Sequence, residues 1–266
     1  MDPGLLSALA DLVLPRTCAG CGIPGVLLCP RCAGWLARPR PAAPRRFPWG
    51  FPPTVAAGAY RGPVVPVVNA FKDRGLAELA GPLGTALALA VAVAAAAVPE
   101  RCGPVLLVPL PSSRTALRSR GRDHVRELAD RAAAELDRAG LPSELLPLLG
   151  RSGRARDSAG LSAAQRRANL AGTFVPRPDV GPVPAGALLV LVDDVVTSGA
   201  TLTEAAAVLT SSATPDGPPV VAAVVAATPR RPPDATMRAD LRVVRKRPVN
   251  VLSSGLDRLS GPPSRD

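Results

Sequence analysis

Leu189-Val190-Leu191-Val192-Asp193-Asp194-Val195-Val196-Thr197-Ser198-Gly199-Ala200-Thr201-Leu202 is the most informative segment of the chain. It opens on an unbroken aliphatic run, the pattern of a strand covered on both faces, and Ala187–Val192 reads as that strand. Two adjacent acids end it. A short loop of small and hydroxyl residues follows. Leu202, Ala205, Ala206 and Leu209 then recur on one face of a helix. A buried strand feeding a loop and then a helix is the repeating unit of a parallel α/β sheet, and ligands of such sheets bind outside the carboxyl ends of the strands.

The loop has the chemistry of a ligand site. A helix beginning at Ala200 offers free backbone amides and the positive end of its dipole to an anion. Thr197, Ser198 and Thr201 add hydroxyl donors, and Gly199 allows an anion close to the backbone. Asp193 and Asp194 can accept from the vicinal hydroxyls of a sugar and can help hold Mg²⁺ through its water shell. Phosphate donors beside diol acceptors are what a ribose 5-phosphate requires. The plainer alternative is that the two acids cap a turn and the hydroxyls open an ordinary helix.

The same alternation extends outward. Gly103–Val108 reads as a strand running into the turn Pro109–Ser113. Asp123–Ala139 reads as a helix with Val125, Leu128, Ala129, Ala132 and Leu136 on one face and Gly140 as its stop. Ser162 with Gln165 forms a capping-box signature for a short helix through Asn169, and Val220–Ala227 reads as another buried strand. The expected fold is α/β, a doubly wound and mostly parallel sheet over residues 54–230. Residues 231–266, rich in Arg, Pro and Ser, read as a basic extension with Gly255–Asp266 a loose tail. Arg38–Pro53 carries six prolines in sixteen residues and reads as a stiff linker or extended crossing after an N-terminal module at 1–37.

That module holds Cys18-x-x-Cys21 and Cys29-x-x-Cys32. Two CxxC knuckles supply the tetrahedral thiolate set that structural Zn²⁺ takes, with no position left open for catalysis. In a chain without an evident export signal, metal is favoured over disulfides or redox thiols. Cys102 stands alone and reads as a small core residue.

Composition narrows the function classes. Hydrophobic residues make up 47% of the 266 and charged residues 20%, enough for a packed core. Aromatics number only two Trp, one Tyr and four Phe, so the core is aliphatic and a base-stacking platform for single strands is disfavoured. The net charge is +11, carried by Arg except at Lys72 and Lys246. It reflects either a composition biased towards Arg or an affinity for anions, phosphorylated small molecules or nucleic acid. The longest apolar run, Thr85–Val98, is about four residues short of a membrane span and reads as a buried helix. A cytoplasmic protein is expected. His124, the single histidine, sits near a helix start, where a surface position is the usual reading and an acid–base role the alternative.

With these residues in view, the acidic loop resembles the signature of type I phosphoribosyltransferases. The wider chain resembles the ComF family, which joins a small zinc module to that fold. The stretches that carry the likeness are Ala59-Tyr60-Arg61-Gly62-Pro63 with Phe71-Lys72, Leu107-Val108-Pro109-Leu110-Pro111-Ser112-Ser113-Arg114, Arg118 to Gly121, and Leu161-Ser162 with Arg167, Asn169-Leu170 and Phe174. The chain departs from the family where Arg122-Asp123-His124 replaces Phe-Asn-Gln and where Ser158 replaces a Gln. The resemblance implies 5-phosphoribosyl-1-pyrophosphate as ligand, with Mg²⁺, and transfer of the phosphoribosyl group to a nitrogen acceptor. Asp193, Asp194 and Arg114 would then take part in the reaction, with Pro111, Ser112, Arg114, Arg118 and Arg120 on the pyrophosphate side. It also implies an alternative: a non-catalytic module in DNA uptake or recombination, meeting single-stranded DNA and a helicase-like competence partner. Arg230, Arg231, Arg238, Arg242, Arg245, Lys246 and Arg247 are its candidate basic surface.

Overall fold

A computed structural model describes residues 16–44, 49–99, 101–152, 172–211 and 217–229. Among these the chain is α/β. A six-stranded sheet is built from β1 (Arg40–Pro41), β2 (Thr54–Ala59), β3 (Val105–Pro109), β4 (Ser143–Leu145), β7 (Leu188–Val196) and β8 (Val220–Ala227), in the spatial order β1-β2-β8-β7-β3-β4. Every neighbouring pair is parallel except β1 with β2. Strands β5 (Leu149–Arg151) and β6 (Phe174–Pro176) form a separate antiparallel pair. The α/β class and the mostly parallel sheet are as the sequence predicts.

Both faces are covered, as aliphatic strands of this kind require. On one face lie α2 (Val64–Lys72), α3 (Ala80–Ala96) and α5 (His124–Arg138), whose buried Val68, Phe71, Leu87, Val91, Leu128 and Ala132 pack with Leu188, Val190 and Val192 of β7. On the other lie α6 (Ala200–Ser211) and the β5–β6 pair, where Leu202, Ala205, Leu149 and Phe174 meet Leu189 and Leu191. The apolar run expected as a buried helix is α3, which lies against β2, β8 and α5.

The crossovers fix where a ligand can sit. From β3 the chain passes through the short helix α4 (Arg114–Arg120) and α5 outward to β4; from β7 it passes through α6 in the opposite direction, to β8. The carboxyl ends of β3 and β7 therefore part company, and the crevice between them is the topological switch point.

Some expectations change. Strand β7 does not end at Val192 but pairs with β8 as far as Val196 opposite Ala227, so the acid pair lies within the strand. The Pro-rich stretch is not wholly irregular. Arg40–Pro41 adds an edge strand to β2, a place where proline is tolerated because one side of the strand needs no donor. Ala42 and Phe51 from the same stretch are buried in the core. The cysteine module, which includes the one-turn helix α1 (Pro30–Ala33), packs directly on the α/β unit. Leu36 is buried in the main core with Ala19, Leu27 and Leu28 against it. Gly58 in β2 is needed here, since a Cβ there would lie 2.4 Å from the Trp35 carbonyl oxygen. Cys102 is exposed in the turn before β3, not in the core. The readings at Ser158, Ser162, Gln165, Arg167, Asn169-Leu170 and the basic residues from Arg230 onward lie outside the described residues.

Candidate functional site

A cleft of about 480 Å³ opens at the switch point. Asp193 and Asp194 come from the end of β7, Thr197 from the loop after it and Thr201 from the first turn of α6, and the loop after β3 contributes Pro111, Ser112 and Ser113. Tyr60, Asn69 and Lys72 line it from β2 and α2, His124 from α5, and Arg151 with Phe174 from the β5–β6 pair.

The two adjacent acids do different work. Successive side chains of a strand point to opposite faces, so Asp194 follows Val190 and Val192 towards α2 and α5. There it is 3% exposed. Its Oδ2 accepts from Lys72 Nζ at 2.7 Å and from His124 Nε2 at 3.0 Å, and its Oδ1 accepts from the Val195 amide at 2.6 Å. Burial pushes the Asp194 carboxyl up, but the His124 hydrogen bond and the Lys72 ammonium outweigh it and hold the group well below the ordinary carboxylate range. Burial opposes the Lys72 charge too, and the Asp194 carboxylate overcomes it and raises the lysine. Asp193 is half-buried and accepts from the Asp194 amide at 2.8 Å. Burial, and then the neighbouring Asp194 charge, push its carboxyl well above the ordinary value. Asp194 is thus a permanently charged anchor, whereas Asp193 is the carboxyl open to a ligand.

The glycine loop also differs in detail. Thr197 and Thr201 face the cleft; Ser198 is exposed, and its Oγ accepts from the Ala200 amide at 3.4 Å. Gly199 has φ of +76°, and a Cβ there would meet the Phe51 ring at 2.7 Å. The close approach it allows is that of Phe51, together with a left-handed turn into α6.

On the opposite wall, Ser113 caps α4 by accepting from the Ala116 amide at 3.1 Å. Ser112 Oγ donates to Asp123 Oδ1 at 3.1 Å, and Asp123 caps α5, which ties this loop to the helix carrying His124. Of the arginines expected on the pyrophosphate side, Arg120 lines the cleft and pairs with Asp73 at 3.3 Å. Arg114 and Arg118 are exposed and do not line it, because α4 is one short amphipathic piece whose remaining face turns to solvent. The cation sequence reasoning missed is Arg151. Its Nη1 donates to the Pro111 carbonyl at 3.3 Å and its guanidinium lies 5.5 Å from the Phe174 ring centroid. It forms no ion pair among the described residues. No local pattern signals it, since only the tertiary fold of the β5–β6 pair brings it over the cleft. Arg122 is structural: it pairs with Glu127, donates to the Phe71 carbonyl at 3.1 Å and lies 4.3 Å from the Phe71 ring centroid.

A second constellation lies in the N-terminal module. The sulfurs of Cys18, Cys21, Cys29 and Cys32 all fall within 4.8 Å of one another, none in a disulfide, so the four can hold a metal ion. Cys21 and Cys29 Sγ are 3.6 Å apart. A tetrahedral ion with metal–sulfur bonds of about 2.3 Å needs about 3.8 Å between sulfurs, so the donor set fits a thiolate site closed on all sides. Burial raises the Cys18 thiol, but amides of Cys29, Cys21 and Gly20 outweigh it and bring it down to about 6.

Comparison of the chain with known protein families and with curated proteins finds no match.

Proposed function

We propose that the cleft binds 5-phosphoribosyl-1-pyrophosphate and that the chain is a phosphoribosyltransferase of the type I fold, related to the ComF proteins it resembles. One observation carries the reading: the half-buried carboxyl of Asp193 and the hydroxyls of Thr197 and Thr201 share a single cleft with Ser112, Ser113 and the guanidinium of Arg151, which has no ion-pair partner among the described residues. The 5-phosphate belongs at the start of α6 and the ribose diol at Asp193. The pyrophosphate, with its Mg²⁺, belongs between the loop after β3 and Arg151, where a planar guanidinium can meet phosphate oxygens bidentately. Phosphoribosyl would pass to a nitrogen acceptor, with positioning and charge stabilisation as the main sources of rate. The four cysteines would hold a structural Zn²⁺.

The test is calorimetric titration with phosphoribosyl pyrophosphate and magnesium. Above about pH 8, where the raised Asp193 carboxyl is ionised, Asp193→Asn should lose roughly 1–3 kcal/mol of binding through its charged hydrogen bonds. Absence of heat from folded wild type, or unchanged affinity in the variant, refutes the reading. The net charge of +11 favours a second reading, a ribose-phosphate-binding module acting on DNA with a helicase-like partner. Binding of the ligand without turnover in the presence of nitrogen nucleophiles would favour that one.

A further inference from the structure

His124 is the single histidine of the chain, and the pattern around it reads as a surface helix start. The fold instead buries it, 3% exposed, on the wall of the cleft. Nε2 lies 3.0 Å from Asp194 Oδ2. An ionised carboxylate can only accept, so Nε2 carries a proton, and in the tautomer protonated there alone Nδ1 holds a bare lone pair. Nδ1 is buried and has no hydrogen-bond partner among the described residues. Buried polar atoms are nearly always partnered, and the residue that carries this exception is one that lines the cleft. The ring is held in place. Asp194 fixes one edge, and the Phe71 ring packs against it in a T-shaped contact at 6.2 Å between centroids. The Asp194 carboxylate is itself fixed by Lys72 and the Val195 amide. A carboxylate that sets the tautomer and orientation of an imidazole, leaving the far nitrogen free, is the arrangement of a general base.

We propose that His124 is a catalytic residue, with Nδ1 taking the proton from the attacking N–H of the acceptor. The role rests on the phosphoribosyl-transfer reading above. The acceptor nitrogen forms its bond to the anomeric carbon while the bond from that carbon to the pyrophosphate oxygen breaks, and the electron pair leaves with pyrophosphate. The proton released from nitrogen moves to Nδ1. The resulting imidazolium is stabilised by Asp194 and returns the proton to solvent after product leaves. The acceptor class is therefore a nucleophile that still bears a hydrogen on the attacking nitrogen, an amine or a ring N–H.

The decisive variant is His124→Gln, whose amide N–H can replace Nε2 against Asp194 but which has no base at Nδ1. Pyrophosphate release from phosphoribosyl pyrophosphate and magnesium is followed in ammonium buffer, with calorimetric affinity measured on the same preparations. The expected result is an unchanged affinity with a rate lower by about 100-fold or more. In His124→Gly, added imidazole should restore part of the rate, which a purely structural role would not allow. A retained rate in His124→Gln, a rate loss matched by lost affinity, or no rescue in a folded His124→Gly overturns the role. So does a wild type that binds the ligand and never releases pyrophosphate. A wild type that fails to bind at all is seen in the calorimetry alone, and it removes the ligand reading together with this one.

Discussion

Asp194→Asn separates the two acids that the sequence presents as a pair. The carboxylate accepts from Lys72 at 2.7 Å, from His124 at 3.0 Å and from the Val195 amide at 2.6 Å. An asparagine turned to keep the Val195 bond places its NH₂ against the ammonium and the imidazole N–H, so that donors face donors. The His124 bond is fully buried, and losing it costs about 1.5–3 kcal/mol, the range for a bond to a charged group. The Lys72 side chain is 30% exposed and can turn into cleft water, so its loss costs about 1 kcal/mol. Together the loss is about 2.5–4 kcal/mol, and at roughly 2–4 °C per kcal/mol for a domain of this size the unfolding midpoint falls about 5–16 °C. Asp193→Asn is the control. Asp193 is half-buried, its one backbone bond to the Asp194 amide survives in an amide oxygen, and near about pH 4, before its own titration enters, the change in stability is below about 1 kcal/mol. Thermal and urea unfolding of the three proteins reads the difference. Equal losses in both variants, or an Asp194→Asn midpoint at the wild-type value, would refute the division of labour between the acids.

Three further outcomes follow from the same geometry. Burial and the Asp194 charge raise the Asp193 carboxyl, so its contribution to stability is full below about pH 4 and is lost as pH rises through its folded value; Asp193→Asn should gain on wild type from about pH 4 towards about pH 8, and a flat difference in urea midpoints across that range would contradict this. Stripping metal with a chelator, or Cys18→Ser, should lower one unfolding transition of the whole chain by calorimetry, because the module shares the main core through Leu36; an early, separate transition would show it to be independent. Any binding of single-stranded DNA should be weak, indifferent to sequence and lost as salt rises, which fluorescence anisotropy at two salt concentrations tests directly.

Much of the frame was legible because it rests on local signals. The aliphatic runs at Ala187–Val192 and Val220–Ala227 read as strands covered on both sides, and Gly140 stops α5 where the periodicity fails. The paired cysteines were legible from spacing alone. What escaped depends on tertiary position. His124 and Arg151 carry no local pattern; one is buried because α5 begins beside β7, the other reaches the cleft because β5 pairs with β6. The end of β7 was misread because two acids look like a boundary. In the fold, Asp194 keeps its place in the strand by acquiring Lys72 and His124 as partners, information absent from the run itself.

The cysteine module and the cleft are joined by one helix. Pro63, the residue just before α2, stands close to Gly20 of the first knuckle: a Cβ on that glycine would lie 3.2 Å from the Pro63 Cβ. Arg61, two residues earlier, lies 5.7 Å from the Trp35 ring centroid, just beyond the last cysteine. The other end of α2 carries Lys72 to Asp194, and Asn69, whose Oδ1 accepts from Tyr60 Oη at 2.9 Å, lines the cleft. A helix of nine residues is too short to hold its direction by itself and takes it from packing. The cysteine turn therefore does more than bring four sulfurs together. By setting where α2 begins, it helps set where Lys72 ends, and with it the charged anchor that leaves Asp193 free for a ligand.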